Sequence, residues 1–284
     1  MSRIAIIGGG NIGEALLSGL LRSGRQAKDI AVAERVPART RYLSETYSVP
    51  VTSVADAVAS ADFVIVAVKP SDVDAVTDEI ADALAREEPD SVGCVFVTVV
   101  AGASTGYFEA KLPAGAPVVR VMPNAPMVVG AGVSAIAKGR FATEVQLEEV
   151  SAVFDSVGGV LTVPESQLDA VTAVSGSGPA YFFLMVEALV DAGVAAGLSR
   201  AVATDLVVQT MAGSAAMLLE RVDQNGGAAD VDTTPARLRA TVTSPAGTTA
   251  AALTELERGG FRAAITAAVA AAKSRAGQLG ITSE

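Results

Sequence analysis

Apolar and polar positions along the first half of the chain fall into a repeating pattern. Short apolar runs at Ile4–Ile7, Ile30–Ala33, Phe63–Val68, Val95–Val100 and Val118–Val121 alternate with longer stretches of helical spacing. Those stretches include Gly13–Arg22, Ala38–Thr46 and Val73–Glu87, and their outer faces carry charge. A short continuous apolar run fits a strand buried on both faces, and its alternation with amphipathic helices predicts a parallel sheet covered on each side. Two further runs, Gly132–Ala137 and Val160–Val163, extend that sheet at its edge.

The pattern changes after Pro164. Leu168–Val174, Ala180–Ala196, Ala201–Arg221, Thr248–Glu257 and Ala263–Ala276 are helical in composition, with no strand-like runs between them. The expected division is an α/β domain over residues 1–164 and an all-helical domain over 165–284. Asp223–Asp232 is rich in Gly, Asp and Ala without apolar periodicity, which predicts a loop. The stretch Ala180–Ala196 is apolar around most of its circumference, through Phe182, Phe183, Leu184, Met185, Val186, Leu189 and Val190. A helix apolar all round must be covered all round, so a second copy of the chain is expected on this domain.

Composition narrows the chemistry. Of 284 residues half are hydrophobic but only 4% aromatic, so the cores rest on Ala, Val, Leu and Ile. The formal charge of -10 argues against nucleic acid, which needs a basic face. There is no histidine, which removes His-based triads, His general bases and His-containing metal sites; no metal is expected. The single Cys94 lies in an apolar run and reads as a small buried hydrophobe. The N-terminus lacks the pattern of a signal peptide, and Gly176, Gly178, Pro179, Glu187 and Asp191 interrupt the most apolar region, so a soluble cytoplasmic protein outside the membrane is expected. Chemistry without His or an evident reactive Cys points to a cofactor.

The first strand supplies one. Ile4–Ile7 leads into Gly8-Gly9-Gly10-Asn11-Ile12-Gly13 and then a helix, which is G-x-G-x-x-G in its strand–turn–helix setting. Gly8 permits the tight turn, Gly10 lets the backbone approach a pyrophosphate, and Gly13 lets helix and strand pack closely. The helix N-terminus adds free N–H groups and a positive dipole end. A Rossmann-type dinucleotide domain follows. Glu34 lies 21 residues beyond Gly13, where an acidic side chain accepts from ribose hydroxyls and favours NADH. Arg35 follows directly, with Arg39 and Arg41 nearby, and such a cluster favours the 2′-phosphate of NADPH. Both cofactors stay open. Ala67-Val68-Lys69-Pro70 and Val99-Val100-Ala101-Gly102 close two more strands, at the sheet edge where ligands bind.

Two stretches of the helical half stand out. Ser244-Pro245-Ala246-Gly247-Thr248-Thr249 precedes a helix, with Ser244 placed as N-cap and Pro245 as first helical residue. Its small residues leave backbone N–H groups uncovered for a small anion such as a carboxylate, although an ordinary capped helix reads equally well. Ser175-Gly176-Ser177-Gly178-Pro179 reads as a helix–helix turn.

Taken together, these motifs resemble the pyrroline-5-carboxylate reductase family, and the wording is similar to its actinobacterial members. The resemblance spans nearly the whole chain, through Ile7–Gly13, Ala67–Pro70, Arg120-Val-Met-Pro-Asn124-Ala-Pro126, Thr172–Phe183 and Arg239–Thr249. It implies a Rossmann domain followed by a helical dimerisation domain, in homodimers that often assemble as decamers. It implies reduction of 1-pyrroline-5-carboxylate to L-proline by NADPH or NADH. Cofactor contacts would come from Ile7, Gly8, Gly9, Gly10, Asn11, Ile12, Gly13, Glu34, Arg35, Ala67, Val68, Lys69, Pro70, Ala101, Gly102 and Asn124. Ser244, Gly247, Thr248 and Thr249 would hold the substrate, with Thr249 on its ring nitrogen, at a site shared between subunits. The chain departs from the family in having Ala246 where Gly is usual, and in a longer segment at Asp223–Asp232.

The implied chemistry suits the missing histidine. A protonated cyclic imine is already an electrophile, so alignment of two rings matters more than a strong general acid. The rivals are a hydroxyacid or related imine dehydrogenase and a cofactor-sensing regulator. The first usually carries a lysine in a long helix of its second domain, and Ala180–Ala196 has none. The second has no need of an anion-binding turn.

Overall fold

The computed structural model describes residues 2–59, 61–85, 94–224 and 234–280. The segment Asp223–Asp232, apart from its first two residues, lies outside them, as does any role for Asp232. The chain divides into two compact units, Met1–Pro179 with Val269–Glu284, and Ala180–Ala268.

The first unit is built on an eight-stranded sheet. Its strands are β1 (Ile4–Ile7), β2 (Ile30–Ala33), β3 (Val51–Thr52), β4 (Phe63–Val66), β5 (Val95–Thr98), β6 (Val118–Met122), β7 (Gly132–Lys138) and β8 (Gly158–Thr162). Their order is β3-β2-β1-β4-β5-β6-β7-β8, and every pairing is parallel except β6 with β7. All four residues of β1, β4 and β5 are buried, as their unbroken apolar runs require. Helices α1 (Asn11–Arg22), α2 (Pro37–Tyr47), α3 (Val54–Val58), α4 (Val73–Leu84), α5 (Thr105–Lys111) and α6 (Glu144–Asp155) complete the alternation. Two cores result. One includes Ile4, Ile6, Leu16, Leu20 and Phe154, and the other Ala5, Ile7, Val64, Val66 and Phe108. Alternate residues of β1 thus feed opposite faces of the sheet.

The expected edge strands are present as β7 and β8. β3, α3, α5 and α6 add to the sequence reading, and α1 starts at Asn11 rather than Gly13. Gly10 caps that helix in extended conformation, which places Gly13 within its first turn.

The stretch Ser175–Pro179 is not a helix–helix turn. Helix α7 (Leu168–Val171) passes through a π turn at Thr172–Gly176 directly into α8 (Gly178–Ala195). The Ser177 N–H donates to the Thr172 carbonyl at 2.8 Å, one residue further back than in an α-helix. Pro179 has no N–H to offer the Ser175 carbonyl four residues before it. The Asn124 side-chain amide donates to that carbonyl instead, at 3.3 Å. Glycine and proline marked a break here, but a neighbouring side chain lets the helical course continue.

The second unit contains most of α8, then α9 (Arg200–Gln224), α10 (Thr234–Thr241), α11 (Thr248–Arg258) and the start of α12 (Phe261–Gln278). Val190 and Ala203 are buried where α8 and α9 meet, and a side chain at Gly193 would press on Ala203 at 3.2 Å. Elsewhere the apolar side chains face outward: Phe182, Phe183, Leu184, Met185 and Leu189 on α8, and Val202, Leu206 and Leu219 on α9, are exposed. Glu165–Ala195 and Arg200–Glu220 have the length and mean hydropathy, 1.4 each, of a membrane-crossing helix. Length and composition alone are weak grounds, since helices covered by a protein partner share both.

Candidate active site

The carboxyl ends of β1, β2 and β4 open into a cavity of about 630 Å³ in the first unit. Ile7, Gly8, Gly10, Glu34, Arg35, Ala67, Val68 and Lys69 line it, all of them expected cofactor residues, together with Val36, Arg39, Thr52, Ser53 and Asp72 among others. Gly9, Asn11, Ile12, Gly13, Pro70, Ala101, Gly102 and Asn124 lie outside its lining.

The loop itself has the shape a dinucleotide requires. Gly8 takes φ +107°, and a side chain there would stand 2.6 Å from the Ala67 carbonyl oxygen. A side chain at Gly13 would collide with the Gly8 carbonyl, so the helix and the turn share space that only glycine leaves free. At Gly10 a side chain would meet nothing within 4 Å. The cradle is therefore closed behind Gly8 and Gly13 and open over Gly10. The N–H groups of Asn11, Ile12 and Gly13 at the start of α1 have no partner within the helix and are available to a pyrophosphate. These residues fit the group.

Glu34 and Arg35 stand side by side at the end of β2 and do different things. The Glu34 carboxylate accepts from the Gly9 N–H at 2.9 Å and from the Val36 N–H at 2.8 Å. Arg35 reaches across to Asp72, 3.3 Å away, with both side chains well exposed. One side chain is tied into the loop and the other is held by a solvated ion pair of small worth.

Asn124 follows β6. Its amide serves protein partners on both sides, donating to Ser175 and accepting from the Val133 N–H at 2.9 Å. Gly102 takes φ +80°, and a side chain there would strike the backbone of Leu279. Arg120, nearly buried, lies 3.4 Å from Glu165, which also accepts from the Thr105 N–H at 2.8 Å and its hydroxyl at 2.6 Å. That carboxylate ties β6 to the start of α5, a link that sequence separation concealed.

In the second unit, the Ser244–Thr249 turn differs in detail from its sequence reading. The Gly247 N–H donates to the Ser244 carbonyl at 3.1 Å, closing a four-residue turn with Pro245 and Ala246 at its centre. Ala246 takes φ +57°, the left-handed region in which glycine is at ease. Helix α11 therefore starts at Thr248 with Gly247 as its cap, rather than at Pro245 with Ser244 as cap. Gly247 offers no side-chain cap, so the first-turn N–H groups depend on other partners.

Comparison with known proteins agrees with both halves. Residues 3–89 match the family described as "NADP oxidoreductase coenzyme F420-dependent", and residues 165–279 match "Pyrroline-5-carboxylate reductase dimerisation". The pyrroline-5-carboxylate reductase of Mycobacterium tuberculosis is 72% identical over 291 aligned positions, covering all of this chain and 99% of the relative. A solved pyrroline-5-carboxylate reductase from Coxiella burnetii superposes with a TM-score of 0.88 at 33% identity, covering 99% of each chain. The Plasmodium falciparum pyrroline carboxylate reductase, solved with NADP bound, gives 0.80 at 26% identity over 99% of this chain and 98% of that one. The chain belongs to the pyrroline-5-carboxylate reductase family, and it is an NAD(P)H-dependent oxidoreductase of proline biosynthesis.

Proposed function

We propose that this chain reduces 1-pyrroline-5-carboxylate to L-proline with a cofactor site at the glycine loop and a substrate site at the Ser244–Thr249 turn. The cavity at the carboxyl ends of β1, β2 and β4 carries the cofactor half of this reading. Bound there, NADPH or NADH supplies the hydride. Gly8 to Gly13 hold the pyrophosphate, with Lys69 and the strand end Ala67–Pro70 along the cavity wall. Glu34 and Arg35 face the adenosine ribose, and Ala101, Gly102 and Asn124 belong to the nicotinamide side.

The turn holds the substrate carboxylate through Ser244, Gly247 and the N–H groups of Thr248 and Thr249, which α11 leaves without helical partners. The Thr249 hydroxyl orients the ring nitrogen, a task that needs no titrating group. The exposed apolar face of α8 supports a homodimer through the helical domain, and residues 1–164 and 165–284 serve as cofactor and substrate domains. A biosynthetic role of this kind supports a cytoplasmic location.

The test is direct. Purified protein is incubated with 1-pyrroline-5-carboxylate and either NADPH or NADH, and absorbance loss is followed together with proline formation. Proline formed in step with cofactor oxidation is expected. No proline with either cofactor would refute the reading.

A further inference from the structure

Three successive glycines form the turn that receives the pyrophosphate, and such a run does not hold a shape by itself. Glycine explores more backbone space than any other residue, so a peptide within Gly8-Gly9-Gly10 turns over at little cost. The structure holds both peptides of the run, one through each side of Gly9. The Gly9 N–H donates to Glu34 at 2.9 Å, and the Gly9 carbonyl accepts from Arg39 Nε at 2.6 Å.

Arg39 is itself fixed. It pairs with Glu14 in the first turn of α1, and its guanidinium lies 5.0 Å from the centre of the Tyr42 ring. The second Glu14 oxygen accepts from the Tyr42 hydroxyl at 2.9 Å and from the Tyr47 hydroxyl at 2.8 Å. Burial pushes the Glu14 carboxyl up, but the hydrogen bonds from Arg39, Tyr47 and Tyr42 outweigh it and hold the group below its usual range. Burial, with Glu14 alongside, pushes the Tyr47 phenol to about 12, so Tyr47 remains a donor.

Arg39 reaches the cavity wall, whereas Glu14, Tyr42 and Tyr47 are absent from its lining. The cluster therefore stands mostly behind the loop. A Gly9 carbonyl released from Arg39 is free to swing toward the phosphates and repel them. Glu14 without its partner would leave an uncompensated negative charge at the helix end that receives them.

We propose that Glu14 and Arg39 are positioning residues that fix the Gly9–Gly10 peptide through its carbonyl and so preorganise the glycine loop for the cofactor's pyrophosphate. This rests on the cofactor site proposed above. Preorganisation raises affinity by lowering the cost of ordering on binding, and it acts on NADPH and NADH alike.

Calorimetric titration of each dinucleotide into the wild type, Arg39→Met and Glu14→Gln tests it. Arg39→Met keeps the stem and loses the donors. It should weaken NADPH and NADH equally, by about tenfold, the effect of one well-oriented interaction. Glu14→Gln should weaken both equally and by less. Adenosine 2′-monophosphate, which carries no phosphate for the glycine loop, should bind all three within twofold. The fitted stoichiometry separates weakened sites from unfolded protein. Unchanged affinity in Arg39→Met would overturn the proposal. So would a loss confined to NADPH, which would make Arg39 a contact of the 2′-phosphate. A wild type that binds neither dinucleotide would overturn the cofactor site as well, whereas tight wild-type binding with an unaffected variant removes only the positioning role.

Discussion

The two units of the chain solve the same problem, covering apolar surface, in opposite ways. In the first, the strands are buried by helices of the same unit, and Ile4, Ile6, Leu16, Ile65 and Phe154 are each at most 1% exposed. In the second, Phe183 is 64% and Leu184 67% exposed on an ordered helix. A sheet of eight strands with helices on its faces has enough inner surface to bury its own side chains. The few helices of the second unit do not, and their larger side chains stay exposed within the single chain. The first unit covers its own core, and the second, which lies within the residues that match a dimerisation family, leaves large apolar side chains exposed.

The largest effect is expected where that difference is strongest. Leu184→Asp puts a charge on the exposed face of α8 without disturbing a residue buried within the chain. Each large apolar side chain removed from water contributes about 1.5–3 kcal/mol, counted twice across a two-fold interface. Sedimentation velocity at micromolar concentration should show a dimer or larger species for the wild type and mainly monomer for the variant. A wild-type monomer, or a variant that assembles unchanged, would break the comparison.

A smaller effect is expected at Ala246, where the helical unit carries local strain. A left-handed alanine costs about 1 kcal/mol, and glycine relieves it while losing part of the gain to the unfolded chain. Ala246→Gly should therefore raise stability by up to about 1 kcal/mol in denaturant unfolding, with assembly unchanged. Clear destabilisation would mean that the methyl group packs against something that compensates for its backbone.

The units also differ in how far the sequence reveals them. β1, β4 and β5 were legible because burial on both faces leaves an unbroken apolar run, and the glycine spacing located the cavity. β3 has two residues and α3 five, too few for a period to emerge. The grip of Arg39 on Gly9 was hidden, since its partners lie 25 and 30 residues away and are chosen by packing. Ser175–Pro179 misled because its local signals favour a break, and the Asn124 amide that removes the break sits 51 residues upstream of Ser175. The turn before α11 was located correctly, but its cap was misplaced by three residues. The left-handed Ala246 sets that cap, and no rule based on residue type assigns an alanine to that conformation.

The proposed division of labour between cofactor cradle and substrate turn is tested most directly at Thr249. Thr249→Ala is titrated with the cofactor and then assayed for turnover with 1-pyrroline-5-carboxylate at saturating cofactor. Cofactor affinity should stay within about twofold, while turnover falls by about tenfold or more, the scale of one lost orienting hydrogen bond. Equal losses in affinity and turnover would contradict Thr249 as a substrate contact.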